Sequence, residues 1–376
     1  MSSQTVVVSG EDHKSSAVRL QSIDALRGFD MFWIAGGDAL ATSLLSRLNT
    51  PAASRLKSQF EHVEWEGFRF YDLIFPLFMF LVGCVIPFSL EKFRDAPRSA
   101  YGRIIRRICA LFALGLICNG LLKFDFGNLR YAGVLQRIAL CYGITAVLFL
   151  TFQVRGLIAV AVTILLGYWG LLSFIAAPGG VAGDYSMEGN LAGYVDRNWL
   201  PGKIMEKYYG YGDNEGMLST IPAIVTVMLG VFAGLWLKSS RPDWVKVVGL
   251  IVSGVSFIVL GTLWGRSFPV IKNLWTSSFV LIAGGWSLLM LCLFYTLVDV
   301  FRWQKWSFFW TVIGMNAIVM YVAPRFIDFD RMAVFFLGGA ARLSGGAGDF
   351  LLEAGSMGAK WLFLYYLYRN RLFLRL

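Results

Sequence analysis

The sequence predicts an all-α membrane protein, a bundle of about ten transmembrane helices. Of its 376 residues, 57% are hydrophobic and only 15% are charged, whereas soluble domains carry roughly 25% charged residues. The mean hydropathy is +0.61, and long apolar stretches recur along nearly the whole chain. Lipid is therefore the expected solvent of this chain.

Ten segments are predicted to cross the bilayer, which takes roughly 20 residues of helix. Nine of them are apolar stretches at residues 71–90, 104–122, 135–152, 155–177, 218–237, 244–264, 276–300, 306–323 and 357–368. The tenth, residues 23–45, is interrupted by Asp24, Arg27, Asp30 and Asp38, which lower its hydropathy although its middle is apolar.

The distribution of charge predicts the topology. Residues 1–20 are polar, so we expect a disordered cytoplasmic tail rather than a cleavable signal peptide, with residues 21–376 forming one transmembrane domain. Ten spans place both termini on one side, together with the basic segments 92–107, 238–246 and 369–375. The positive-inside rule assigns that side to the cytoplasm. These short loops also explain the net charge of +10, so a nucleic-acid partner is not expected.

Histidine is scarce: His13 lies in the tail, which leaves His62 as the only imidazole of the predicted bundle. His62 directly precedes the span at residues 71–90 and therefore lies at the mouth of the bundle. A neutral imidazole there can accept a proton near pH 7. A loop histidine without chemistry is the alternative, and the residues alone do not decide between the two.

Polar side chains within or beside spans are costly in lipid and are therefore functional candidates. The set is Asp24, Arg27, Asp30, Asp38, Asp72, Gln136, Arg137, Asn273, Asp299 and Asn316. Some of them are alternatively expected to brace helices against each other. Asp24 and Arg27, three residues apart on one helix face, fit that description.

Two loops opposite the cytoplasm are rich in polar and aromatic residues. Carboxylates, amides and rings that alternate with glycine suit a sugar, whose hydroxyl groups take hydrogen bonds while its apolar face stacks on a ring. A well-capped ordered loop would have a similar composition. The candidates are Trp65, Asp72, Asn190, Asp196, Arg197, Asp213, Glu215, Asn273 and Trp275. All five cysteines lie in apolar segments, and no metal-ligand spacing is present, so neither a thiol nucleophile nor a metal is expected.

Several motifs, in order along the chain, resemble one family of transmembrane acyltransferases. The opening helix, residues 22–29, is similar to that of several such families. From about residue 19 to the C-terminus the chain resembles the heparan-alpha-glucosaminide N-acetyltransferase family. The motifs are His62 with Trp65 and Gly67, then residues 72–76, 133–137, 193–197, 215–221, 273–275 and 314–316.

The resemblance implies a reaction and a set of site residues. In that family, acetyl passes from cytoplasmic acetyl-CoA to the amino group of a glucosamine on the opposite side of the membrane, and His62 occupies the position of the catalytic histidine. The family has a catalytic asparagine where this chain has Ile34, and Asp38 is taken as its substitute. The residues predicted to contact acetyl-CoA are Arg19, Arg27, Arg103, Arg106, Arg107, Gln136, Arg137 and Asn316.

Three questions stay open at this stage. His62 acts either as a general base in a direct transfer or as a nucleophile that carries the acetyl group. The main alternative function is transport of an amino sugar, which needs a polar cavity but no histidine at its mouth. The oligomeric state is the third open question, and a homodimer is one of the assemblies considered. The resemblance is to the bacterial branch, which implies a multi-pass protein of the inner membrane.

Overall fold

The computed structural model describes residues 20–48, 50–205 and 209–374, and within these ranges the chain is helical, with two isolated β-bridges between loops. The α-helices are α1 (Gln21–Phe32), α2 (Asp38–Leu45), α3 (Pro51–Ser58), α4 (Phe70–Leu90), α5 (Arg98–Cys118), α6 (Val134–Thr151), α7 (Val154–Phe174), α8 (Leu191–Trp199), α9 (Met217–Lys238), α10 (Asp243–Trp264), α11 (Ser277–Phe294), α12 (Phe308–Met315), α13 (Ala317–Val322), α14 (Phe329–Leu343) and α15 (Gly348–Arg369). The all-α prediction is confirmed.

The predicted count of ten spans is not confirmed. Six helices of the described residues are long and apolar enough to cross a membrane: α4, α6, α7, α9, α10 and α11, where α4 and α11 continue to Phe93 and Val300. A seventh is reached if α12 and the helix Ala317–Arg325, bent by 77°, count as one span.

The three remaining predicted spans are not continuous apolar helices in the structure. Residues 23–45 form α1 and α2, which are separated by a π-helical segment containing Gly36 at φ 119°. Helix α5 carries Arg103, Arg106 and Arg107 in its middle, and α15 carries charges at both ends and at Lys360. Charge within a helix lowers its hydropathy, so length alone does not make these helices lipid-spanning.

Burial separates a central group of helices from a peripheral one. In α4, α6, α9 and α11, 67% to 72% of the apolar window is buried within the protein, whereas the values for α7 and α10 are 28% and 17%. Helices α4 and α9 approach closely because Gly83 and Gly230 face each other's backbone: a Cβ on either would lie 1.9 Å from a carbonyl oxygen of the other helix. The peripheral helices thus present their apolar faces outward.

The loops at one end of the central helices pack into a layer. It contains α3, α8 and the segments around residues 130, 180–205, 209–216 and 265–276. Glu66 forms a β-bridge with Ile271, and Arg130 forms one with Gly202. Because these bridges join loops distant in sequence, the layer holds the start of α4 against the turn before α11.

Candidate active site

His62 lies in the loop layer beside the first turn of α4. Its Nδ1 atom is 2.7 Å from Oδ1 of Asp72, and its imidazole ring packs against Tyr71 with the ring centroids 4.7 Å apart. Asp72 is completely buried, whereas 34% of the His62 side chain is exposed. One ring nitrogen is therefore held by a buried carboxylate while the imidazole itself stays accessible.

Asp72, the third residue of α4, is held in place by the first turn of that helix. Its Oδ2 atom accepts hydrogen bonds from the backbone N–H groups of Arg69, at 3.1 Å, and Val63, at 3.4 Å. A carboxylate in the first helical turn satisfies free N–H groups there and interacts favourably with the helix dipole. Asp72 is completely buried and supports His62, and its predicted contact with the substrate stays a prediction.

A third group, Lys272, was missed by the sequence analysis. Its Nζ atom is 2.9 Å from Nδ1 of His62 and 3.3 Å from Oδ1 of Asp72. Burial lowers the pKa of Lys272, and the charge of Asp72 opposes that shift. The only signal in the sequence is that Lys272 precedes Asn273 in one of the motifs. A lysine between two spans otherwise indicates topology, not chemistry.

A tight turn places Lys272 beside His62. The N–H of Trp275, whose φ is 52°, donates to the carbonyl of Lys272 at 2.9 Å. The N–H of Gly67 donates to the carbonyl of Val270 at 2.8 Å, which ties the His62 loop to the same turn. We call His62, Asp72 and Lys272 the His62 site. Asn273, half-buried in this turn, stays a predicted substrate contact.

Trp65 and Trp275 differ in their surroundings. Trp65 is half-buried, donates from Nε1 to the carbonyl of Tyr185 at 2.8 Å and packs on Tyr209. Trp275 is only 1% exposed, donates to Thr226 and lies under the guanidinium of Arg137. Neither face of the Trp275 ring is accessible, and its contact with the substrate stays a prediction.

A separate group of charges, the Arg130 cluster, joins Arg130 of the segment before α6 to Asp196, Asp213 and Glu215, which lie between α7 and α9. Arg130 donates to both oxygens of Asp213, at 2.8 and 2.5 Å, and also to Glu215. Burial alone would raise the pKa of Asp213, but the hydrogen bonds and charge of Arg130 lower it. Asp196 accepts from the N–H groups of Asp213 and Met217, and burial raises its pKa to about 6.

The predicted sugar contacts of this loop have structural partners. Asn190 is buried and caps α8 by accepting from Gly193 N at 2.7 Å, and its amide donates to Ser186 and Met187. Asp196 and Asp213 are at most 2% exposed. Arg197 donates to the carbonyl of Tyr211. The loop is therefore well capped and ordered, as the alternative interpretation expected. Contact with a sugar stays a prediction for all five residues, Asn190, Asp196, Arg197, Asp213 and Glu215.

A cavity of about 350 Å³ lies between α1, α4, α5, α6 and α12–α13. Arg27 and Arg107, two residues predicted to contact acetyl-CoA, line it together with Asp24, which is 3.3 Å from Arg27 as the bracing alternative expected. Its remaining wall is mostly apolar and includes Ile34, Phe75, Phe78 and Tyr321. The C-terminal residues Phe373 and Leu374 also contribute.

The other predicted acetyl-CoA contacts are spread more widely. Gln136 and Arg137 are buried in α6, whose Val134, Leu135 and Ile138 line the cavity, and Arg137 donates to Ser219 at 2.5 Å. Asn316 accepts from the N–H of Leu374 and donates to the carbonyl of Leu372, so it holds the C-terminal segment beside the cavity. Arg103 and Arg106 are exposed on α5. Arg19 lies outside the described residues.

Asp38, the predicted substitute for the catalytic asparagine, is the first residue of α2. It follows the kink at Gly36 and lies near Glu353 of α15, where the two charges repel each other. Its catalytic role stays a prediction.

Comparison with known proteins agrees with the motifs. Residues 19–247 match the family model described as heparan-alpha-glucosaminide N-acetyltransferase, catalytic, a range that contains His62 and Asp72 but ends before Lys272. The human heparan-alpha-glucosaminide N-acetyltransferase is 27% identical over 381 residues, covering 82% of this chain and 53% of the human protein. The mouse protein is 27% identical over 389 residues, covering 85% and 55%. The chain thus spans about half the length of these curated relatives, and because the family model matches more than half of its residues, it belongs to the heparan-alpha-glucosaminide N-acetyltransferase catalytic family.

Proposed function

We propose that this protein transfers an acetyl group from cytoplasmic acetyl-CoA to the amino group of a glucosamine-type sugar on the opposite side of the membrane. The observation that carries the proposal is the His62–Asp72 pair: an accessible imidazole held at 2.7 Å by a buried carboxylate. Membership of the family and the family name of its relatives support the reaction class.

His62 is the general base of the reaction. With its Nδ1–H donating to Asp72, the imidazole presents an unprotonated Nε2 that can remove a proton from the amine. The amine nitrogen then attacks the thioester carbonyl, the C–S bond breaks, and the proton leaves with the thiolate of CoA. A carboxylate that orients the imidazole with its hydrogen on Nδ1 prepares Nε2 for this first proton transfer.

The cavity is the proposed path of the acyl-pantetheine arm. Its apolar wall suits a flexible chain, and Arg27 and Arg107 provide cations for the phosphates or amide groups of coenzyme A. Phe75 lines the cavity one helical turn after Asp72, so α4 connects the cavity to the His62 site. We therefore expect CoA to bind before the sugar and to stabilise the protein by mass action.

The proposed topology has both termini in the cytoplasm of a bacterial cell and His62 across the inner membrane. Reporter fusions near residues 96 and 200 test this orientation. A cytoplasmic signal at residue 200 would overturn the transfer across the membrane, whatever the outcome for catalysis.

Transport of an amino sugar is the alternative function. One assay separates the two: purified protein in detergent is mixed with acetyl-CoA labelled in the acetyl group and a panel of amino sugars. The proposal predicts a labelled N-acetyl sugar and free CoA in equal amounts, and binding of the sugar without transfer of the label would contradict it.

The same assay distinguishes the two chemical routes. We favour direct transfer, since the glucosamine amine is already a capable nucleophile once it is deprotonated. Acetyl-CoA alone should then release no CoA. A burst of about one CoA per protein before any sugar is added would instead assign an acetylated His62.

A further inference from the structure

We propose that Lys272 is the proton partner of His62: acting through Nδ1, it lets the imidazole serve first as a base toward the amine and then as an acid toward the leaving thiolate. The inference rests on the proposed acyl transfer and deepens it. Lys272 touches neither substrate in this scheme, so it is a positioning residue.

The distances within the His62 site carry the inference. Nδ1 of His62 lies 2.7 Å from Oδ1 of Asp72 and 2.9 Å from Nζ of Lys272, and the latter two atoms are 3.3 Å apart. Nζ of Lys272 is also 3.4 Å from Nε2 of His62, so the lysine lies beside both ring nitrogens and nearer to Nδ1. An imidazole nitrogen holds either one hydrogen or one lone pair in the ring plane. Nδ1 therefore donates a hydrogen bond in one tautomer and accepts a hydrogen bond in the other. A neighbouring group that can both accept and donate can bond to Nδ1 in either tautomer. Lys272 is such a neighbour only if it can become a neutral amine.

The surroundings of Lys272 favour that neutral form. Only 16% of its side chain is exposed, and burial lowers its pKa. The charges of Asp72 and Glu215 oppose this shift. Arg69, which donates to the His62 carbonyl at 3.1 Å, adds a cation near the same loop, and Tyr71 packs on the imidazole. A buried lysine among such groups is the type of side chain whose protonation changes readily.

The proton transfers balance as follows. Nε2 of His62 takes a proton from the amine, and the Nδ1 proton moves to the neutral amine of Lys272, so one N–H bond breaks and one forms at each step. The resulting ammonium pairs with Asp72, while His62 is again neutral and now carries its hydrogen on Nε2. That hydrogen goes to the thiolate sulfur of CoA as the C–S bond breaks. Nδ1 then recovers its proton from Lys272, which restores the starting state.

A purely structural role for Lys272 is the competing explanation. In that case its ammonium would donate to Asp72 and hold the carboxylate in place. Arginine can also donate to Asp72, but it does not release a proton at these pH values. The change Lys272→Arg therefore separates a proton partner from a fixed cation.

The experiment measures turnover with acetyl-CoA and an amino sugar from pH 5 to 9 for wild type, Lys272→Met and Lys272→Arg. Lys123→Met, an exposed lysine of the loop after α5, is the matched control. We expect both Lys272 variants to lose about 10²-fold in kcat, within the range typical of acid–base groups. The KM for acetyl-CoA and the thermal shift on adding CoA should not change.

The acid side of the pH profile gives an independent readout. In wild type, two groups must be unprotonated, so log kcat should rise with a limiting slope of about two, which falls to about one in Lys272→Met. A slope of one in wild type, or Lys272→Arg with at least half of wild-type turnover, would overturn the inference. If Lys272→Met does not fold, Lys272→Gln replaces it. The slope of the wild-type pH profile then still tests the inference. Absence of transfer in wild type would instead refute the proposed function itself.

Discussion

The His62 site and the Arg130 cluster are both built around an aspartate that is completely buried, yet the two regions differ in the partner of that aspartate. Asp213 is paired with an arginine, whose charge is permanent, and with backbone N–H groups at Met205 and Glu215. Asp72 is paired with a histidine and a lysine, neither of which carries a permanent charge as arginine does.

The difference shows how one loop layer can contain a rigid part and a reactive part. A permanent cation on a buried carboxylate fixes geometry and leaves no proton to move. A histidine on a buried carboxylate, with 34% of its side chain exposed, remains accessible to a substrate. Both regions contain buried charge, so buried charge alone does not identify the reactive site. The type of cation paired with the buried aspartate does.

Replacing His62 is expected to have the largest effect. His62→Ala should reduce acetyl transfer by about 10²- to 10⁴-fold, because the general base is removed. Its thermal unfolding should change little, because the half-exposed ring contributes little packing. Turnover with amino-sugar acceptors and unfolding by intrinsic fluorescence check the two parts. Unchanged turnover would remove His62 from the mechanism and favour the transporter.

Replacing Arg130 should affect stability instead of chemistry. Arg130→Met leaves the buried carboxylates of Asp213 and Glu215 without their cation, which typically costs about 3–5 kcal/mol. The pKa of Asp213 is held low in the native protein, so its contribution to stability is present above its unfolded pKa and is lost as pH falls. The difference in stability between Arg130→Met and wild type should therefore be largest above the unfolded pKa of about 3.9 and should shrink as pH falls below it.

The control for this change is Arg155→Met, since Arg155 is exposed at the start of α7. Unfolding in denaturant from about pH 2 to 8 measures the difference. An Arg130→Met protein that keeps its stability but loses affinity for the sugar would break the distinction between the two regions.

The sequence predicted much of the fold but less of the site. The spans near α4, α6, α7, α9, α10 and α11 were identified because each is one continuous apolar run. The count of ten was not confirmed because Gly36 and the arginines of α5 interrupt the pattern. His62 was found because histidine is rare, whereas Lys272 was missed because its partner Asp72 is 200 residues away. Contacts at such separation leave no local pattern.

The pH dependence of stability that Asp196 causes is a smaller test of the contrast between the His62 site and the Arg130 cluster. Burial raises its pKa to about 6, above the unfolded value of about 3.9. The native state thus binds a proton more tightly than the unfolded state, and stability should fall by about 1–3 kcal/mol as pH rises from 4 to 7. Asp196→Asn should flatten this dependence without altering kcat. Thermal unfolding across that pH range measures it, and an unchanged slope would exclude Asp196 as its source.

The smallest expected effect separates an ordered loop from a sugar-binding one. Asn190 accepts from Gly193 N at 2.7 Å as the cap of α8 and is also bonded to Tyr209. Losing an N-cap typically costs about 1 kcal/mol, and the uncapped helix lies next to the Arg130 cluster, so Asn190→Ala should lower the unfolding temperature slightly. Asn198→Ala, an exposed asparagine on the same helix, is the matched control. If Asn190 only caps α8, the KM for the amino sugar stays within twofold of wild type in both variants, because its amide points into the loop and is buried. A tenfold rise in that KM confined to Asn190→Ala would instead place the sugar at this loop, and the contrast between a reactive His62 site and a purely structural Arg130 cluster would no longer hold.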